Sequence, residues 1–136
     1  MNLRYDRLTR LVKFDVDGEE YASRLTVGQI GEIEDVALKS FGKPIMKLFQ
    51  EQEDPSVPMM IKAFCIGLTK DGKKVKPQEA YQLFLKICEK HGMPHMERLY
   101  LALIASSYFL GADASQEILE SLGLDVKDTE EAGKNA

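Results

Sequence analysis

Apolar and polar residues alternate from Val12 to Val16, with Lys13 and Asp15 between Val12, Phe14 and Val16. That period of two predicts a half-buried strand. Asp17-Gly18 follows, a pair that tolerates the positive φ of a tight hairpin turn. Tyr21 opens a weaker second strand towards Leu25, which sets a β-hairpin over residues 8–25. Arg4, Arg7 and Arg10 form a basic lead-in with no assigned structure. After Leu25 the period changes to that of a helix. Thr26-Val27-Gly28-Gln29 reads as a capping box, in which Thr26 and Gln29 satisfy each other's backbone N–H groups. Ile30, Ile33, Val36, Ala37 and Phe41 then share one helical face, and Gly42 suits its left-handed end.

Pro44 is placed to open a second helix at its first position, with Ile45, Leu48 and Phe49 on its apolar side and an acidic exit at 51–54. Ser56 caps a third, whose inward residues are Met59, Met60, Ala63, Phe64 and Leu68. Residues 70–76 read as a charged loop turning at Asp71-Gly72. Pro77 and Glu79 open a fourth helix carrying Ala80, Tyr81, Phe84, Ile87 and Cys88, closed by Gly92. Pro94 opens a fifth. It is apolar almost all round from Leu99 to Leu110, interrupted only by Ser106 and Ser107, so it is expected at the centre of the bundle. Leu99, Leu103, Ile104 and Leu110 should be buried there, with Ile33, Phe64 and Phe84 around them. Asp113 or Ser115 caps a short sixth helix through Ile118, Leu119 and Leu122, stopped at Gly123. The expected fold is mainly α: a single-domain bundle of about five to six helices over roughly 27–122, preceded by a short N-terminal β-hairpin. The globular domain spans 1–124. Residues 125–136 show no apolar period and read as a flexible tail.

Composition narrows the function classes. The 136 residues are 44% hydrophobic and 29% charged, which suits a globular protein, and the net charge of −4 lacks the basic footprint of a nucleic-acid binder. The N-terminus has no apolar stretch of a signal peptide, and the run from Leu99 to Leu110 is far short of the ~20 residues of a bilayer span. The expectation is a cytoplasmic protein with no membrane association. Cys65 and Cys88 lie in apolar helical runs and read as reduced buried thiols.

No constellation carries chemistry well. Cys88-x2-His91-x3-His95 has zinc-ligand residue types, and Cys65 could fold in. The paired CxxC-type spacing of structural zinc sites is absent, and Gly92 and Pro94 make the segment an ordinary helix-to-helix turn. No cofactor is implied. Carboxylates cluster at Glu19-Glu20, Glu32-Glu34-Asp35 and Glu51-Glu53-Asp54, on polar faces or in loops where solvation is the default. A catalytic pair needs convergence in a pocket that drives the two pKa values apart. Ser106 and Ser107 have no nucleophile elbow. The chain therefore reads as a non-enzyme that binds other proteins. Candidate partner-binding residues are Met59, Met60 and Met96, because methionine adapts to varied surfaces, and Lys73 and Lys74 in the basic patch with Lys70 and Lys76. Core packing is the competing reading for the methionines, and plain solvation for the lysines.

The order of elements adds a resemblance. A hairpin precedes Thr26-Val-Gly-Gln-Ile-Gly-Glu-Ile-Glu-Asp-Val; then come Phe64-Cys-Ile-Gly-Leu, a charged loop, and Lys76-Pro-Gln-Glu-Ala-Tyr-Gln-Leu-Phe. Over residues 12–110 this resembles the tail assembly chaperones of long-tailed bacteriophages and of prophages in Gram-positive bacteria. The resemblance implies a small helical protein without catalytic residues. Such a protein binds the tape-measure protein, helps recruit tail-tube subunits, and is absent from the mature virion. It leaves self-association open. It also implies a longer product made by a backward ribosomal slip near the end of the frame, for which Gly133, Lys134 and Asn135 permit the heptamer A-AAA-AAC or A-AAA-AAT. Two other classes compete. One is a structural phage protein, a head-tail connector or tail-completion subunit. The other is a small helical regulator contacting nucleic acid through 70–76 and Arg4 to Arg10, which steep salt dependence would reveal.

Overall fold

The computed structural model describes residues 2–127. Their N-terminal part is a strand β1 (Arg4–Asp6) followed by the hairpin β2 (Val12–Val16) and β3 (Glu19–Ser23). Helices α1 (Val27–Phe41), α2 (Ile45–Gln50) and α3 (Val57–Ile66) follow, then a second hairpin, β4 (Leu68–Lys70) and β5 (Lys73–Lys74). Helices α4 (Pro77–His91), α5 (Met93–Ser106) and α6 (Ala112–Ser121) lead to a last strand, β6 (Asp125–Lys127). The molecule is mostly helical, and its strands join into one six-stranded sheet in the order β5-β4-β3-β2-β1-β6.

The sheet is larger than the single hairpin expected. Its first hairpin lies inside the predicted 8–25, with Phe14 opposite Tyr21 and Val16 opposite Glu19. Both hairpins turn on Asp-Gly pairs with positive φ at both residues, 52° and 80° at Asp17-Gly18 and 53° and 76° at Asp71-Gly72. That geometry matches the twist of the flanking strands. The expected loop at 70–76 is thus corrected: Leu68–Lys70 extends the sheet from β3, and Lys73–Lys74 forms its edge. Lysines suit such an edge, because charge discourages pairing with another chain. The basic lead-in contains β1, antiparallel to β2. At the far side β6 runs parallel to β1, Tyr5 opposite Val126. This corrects the expected structureless tail for residues 125–127. Gly133, Lys134 and Asn135 lie outside the described residues.

The sheet buries one face. Val12, Phe14 and Val16 point inward, and aromatic contacts lead from Phe14 to Phe64 at 5.9 Å between ring centroids and on to Phe84 at 5.7 Å. Gly67 lets α3 turn into β4 against this sheet: a Cβ there would stand 2.8 Å from Ser23 Oγ and 3.1 Å from the Arg24 carbonyl oxygen. The predicted centre holds, since α5 buries Leu99, Leu103 and Ile104, and Ile33, Phe64 and Phe84 are buried with them. Leu110 is a correction, being only half-buried beyond the end of α5. The Ser106 and Ser107 hydroxyls donate to the Leu103 and Ile104 carbonyls, and Tyr108 has a φ of 60°, so the helix stops before the apolar run does.

Thr26 and Gln29 form the predicted capping box, at 3.2 and 2.8 Å. Pro44 sits one position before α2 as its N-cap, instead of at its first residue. Gly111 is the N-cap of α6, with no side-chain cap. Asp113 falls in its first turn and Ser115 is buried, so neither expected residue caps it.

Candidate functional site

A groove of about 380 Å³ is bounded by α2, the connection to α3, α5 and α6. It follows from how α5 divides its sides. Leu99, Leu103 and Ile104 face the core, while Tyr100 and Leu101 reach the groove wall. Across from them α6 contributes Ile118 and Leu122, and α2 contributes Leu48 and Phe49. Met59 of α3 closes the floor. The two long walls are tied together at one end, because Arg98 donates from both Nε and a terminal nitrogen to the Leu122 carbonyl oxygen, at 3.0 and 2.8 Å. That paired bond satisfies a carbonyl left open at the end of α6. The α2 exit is held by Lys43 Nζ donating to Glu51 Oε2 at 2.7 Å.

The rim is acidic. Glu53 and Asp54 are exposed on the connection, and Glu97 is half-buried on α5. Tyr100 lines the groove at 3% exposure, and its hydroxyl has no hydrogen-bond partner among the described residues. Burial alone pushes its phenol well above the ordinary tyrosine range. A buried hydroxyl without a partner carries a desolvation cost, which the fold bears at this position.

The structure places the predicted site residues apart. Met59, Met60 and Met96 are 1%, 2% and 1% exposed, so Met60 and Met96 pack the core and offer no surface in the free chain, while Met59 lies at the groove floor. Lys73 and Lys74 are exposed on edge strand β5, away from the groove. Their neighbour Lys70 is paired with Glu19 at 2.9 Å. Of the basic lead-in, Arg4 binds Asp15 and Glu20, each at 2.8 Å, and Arg10 lies over the Tyr108 ring at 4.5 Å.

His91 and His95 stack with ring centroids 4.9 Å apart across the α4–α5 junction. Among the described residues no cluster of three or more His, Cys, Asp or Glu is arranged to hold a metal ion. The His95 pKa is lowered, first by burial and then by the neighbouring His91. Burial pushes the Cys65 and Cys88 thiols up, away from the reactive thiolate. No helix among the described residues is long and apolar enough to cross a membrane.

Sequence reasoning missed the groove because Leu101, Ile118 and Leu122 look like core residues in a helical period. The usable signal was the acidic exit at 51–54 ending in Pro55, a polar break between two short apolar helices. Comparison with family models, with characterised proteins and with solved structures returns no match for this chain.

Proposed function

We propose that this chain is a non-catalytic binding protein, a tail assembly chaperone of a long-tailed phage or prophage. In this reading it acts in the host cytoplasm, holds helical segments of the tape-measure protein in solution, helps recruit tail-tube subunits, and leaves before the particle is complete. The observation that carries the binding role is the open groove, with apolar walls from Leu48, Leu101, Ile118 and Leu122 and a volume in the range of ligand-holding clefts, about 300–1,000 Å³. A helix laid into such a groove buries the side chains of one face, the usual mode for amphipathic partners. The choice of phage partner rests on the sequence resemblance, since fold alone does not carry function.

The test is co-expression with the tape-measure protein encoded beside it. The soluble fraction of that protein should rise with the wild-type chain, and Leu101→Glu, which puts a charge in the groove wall, should cancel the gain. Unchanged solubility across several tape-measure fragments would refute the chaperone reading. A structural phage protein would instead remain in purified virions.

A further inference from the structure

We infer that the groove takes a basic amphipathic helix, its apolar face on the groove walls and its lysines or arginines against Glu53, Asp54 and Glu97. This rests on the binding role proposed for the groove and adds the charge of the partner. Some surface carboxylates are paired within the protein, while others, among them Asp35, Glu79 and Glu89, enter no ion pair among the described residues; what distinguishes those of the rim is that they border an apolar groove. Asp15 and Glu20 are bound by Arg4, Asp17 by Lys86 and Lys90, Glu19 by Lys70, Glu32 by Lys62, and Glu51 by Lys43 and Lys47. Glu53, Asp54 and Glu97 enter no ion pair among the described residues. Arg98, on α5, directs its Nε and one terminal nitrogen to the Leu122 carbonyl and forms no ion pair with Glu97 among the described residues. Three carboxylates outside any ion pair among the described residues border an apolar floor, with Lys43 acting on Glu53 through charge alone, and a partner bearing cations beside apolar residues complements both.

The same chemistry argues against two occupants closer to hand. Residues 128–136, Asp-Thr-Glu-Glu-Ala-Gly-Lys-Asn-Ala, have three acidic residues against one lysine and no large apolar side chain. A second copy carries the same net charge of −4, which opposes its approach to an acidic rim.

The experiment is fluorescence anisotropy of the full chain with two dye-labelled peptides of roughly 18 residues, about five helical turns. Both carry leucine at i, i+3, i+4 and i+7; one has lysine at the remaining positions and the other glutamate. The lysine peptide should bind roughly tenfold tighter, the combined worth of a few exposed ion pairs, and its advantage should shrink as salt is raised. Asp54→Asn together with Glu97→Gln should remove most of that advantage. Glu89→Gln, a loss of one exposed charge on α4 away from the groove, should leave it intact.

Equal binding of the two peptides would overturn the charge inference while leaving the groove as a binding site. An equal effect of Glu89→Gln would assign the preference to net charge and overturn it as well. Absence of binding by either peptide, displacement by a peptide of residues 128–136, or a dimer in sedimentation that Leu101→Glu abolishes would each refute it. Basic-peptide binding with a failed co-expression test would remove the phage assignment and keep this inference.

Discussion

Replacing Tyr100 by phenylalanine should stabilise the free protein. The substitution deletes one hydroxyl and keeps the ring, which is 3% exposed among the residues of α5. That hydroxyl is buried and has no partner among the described residues, and burial is the sole cause of its raised pKa. Leaving a buried polar group unsatisfied costs about 1–3 kcal/mol, whereas an ordinary satisfied hydrogen bond contributes about 0.5–1.5 kcal/mol. The small void left behind offsets part of the gain, so a net stabilisation of about 1 kcal/mol is expected. With an unfolding entropy of roughly 2.1 cal/mol/K per residue, 1 kcal/mol corresponds to a rise in Tm of about 3.5 °C for a chain of this length. Tyr5→Phe is the matched control. The Tyr5 hydroxyl donates to Tyr108 Oη at 3.1 Å, so its removal should lower stability by about 0.5–1.5 kcal/mol. Paired urea and thermal unfolding curves measure both. A Tyr100→Phe variant less stable than wild type by more than about 0.5 kcal/mol would show that the hydroxyl is satisfied in the free protein.

Leu103→Ala should cost about 2–5 kcal/mol in urea unfolding, because Leu103 is 1% exposed on the central helix; a loss below about 0.5 kcal/mol would place α5 at the periphery. His95 gives a pH dependence. Its folded pKa lies below the ordinary value of 6.5, so the unfolded chain takes up the proton first as pH falls. The stability that His95 contributes is complete above about pH 6.5 and declines as pH drops towards the folded pKa, and His95→Gln should flatten that decline in Tm; an unchanged slope would refute it.

Long elements were legible in the sequence and short ones were not. The helix over 27–41 has five apolar residues on one face, a capping box and a glycine end, three local signals that agree. The fourth helix, from Pro77 to the Gly92 stop, is bounded as clearly. Strands of two or three residues cannot show a period. Arg4-Tyr5-Asp6 and Leu68-Thr69-Lys70 each hold one large apolar residue, and Lys73-Lys74 holds none. Their pairing comes from the sheet, and in β6 from a parallel partner 121 residues away at Arg4 and Asp125. Asp6 shows the same limit. It is 5% exposed and accepts from the Leu8 and Thr9 N–H groups, a turn role that no local pattern distinguishes from a solvated carboxylate. The methionines are ambiguous in the sequence for a physical reason: an unbranched, polarizable side chain serves an irregular core and an adaptable surface equally well.

The two ends of the molecule are finished differently, and that difference bears on the proposed binding role of the groove. On the sheet side, the first hairpin is fastened to what surrounds it. Asp17 at its tip is held by Lys86 and Lys90 of α4, which lower its pKa to about 2, and Glu19 is held by Lys70. Arg4 binds Asp15 and Glu20 across the strands. Such exposed pairs add little stability singly, but they neutralise the charges of the first hairpin within the protein. At the α5–α6 end the arrangement is the reverse. Helix α6 buries only Ser115 and Leu119 fully, and leaves Ile118 and Leu122 half-covered beside Leu101. The Ser115 hydroxyl, like that of Tyr100, lacks a partner. Folding alone would favour covering these apolar groups and pairing these hydroxyls. The groove beside Leu101, Ile118 and Leu122, bordered by three carboxylates outside any ion pair among the described residues, is the apolar surface on which the proposed partner would gain most burial.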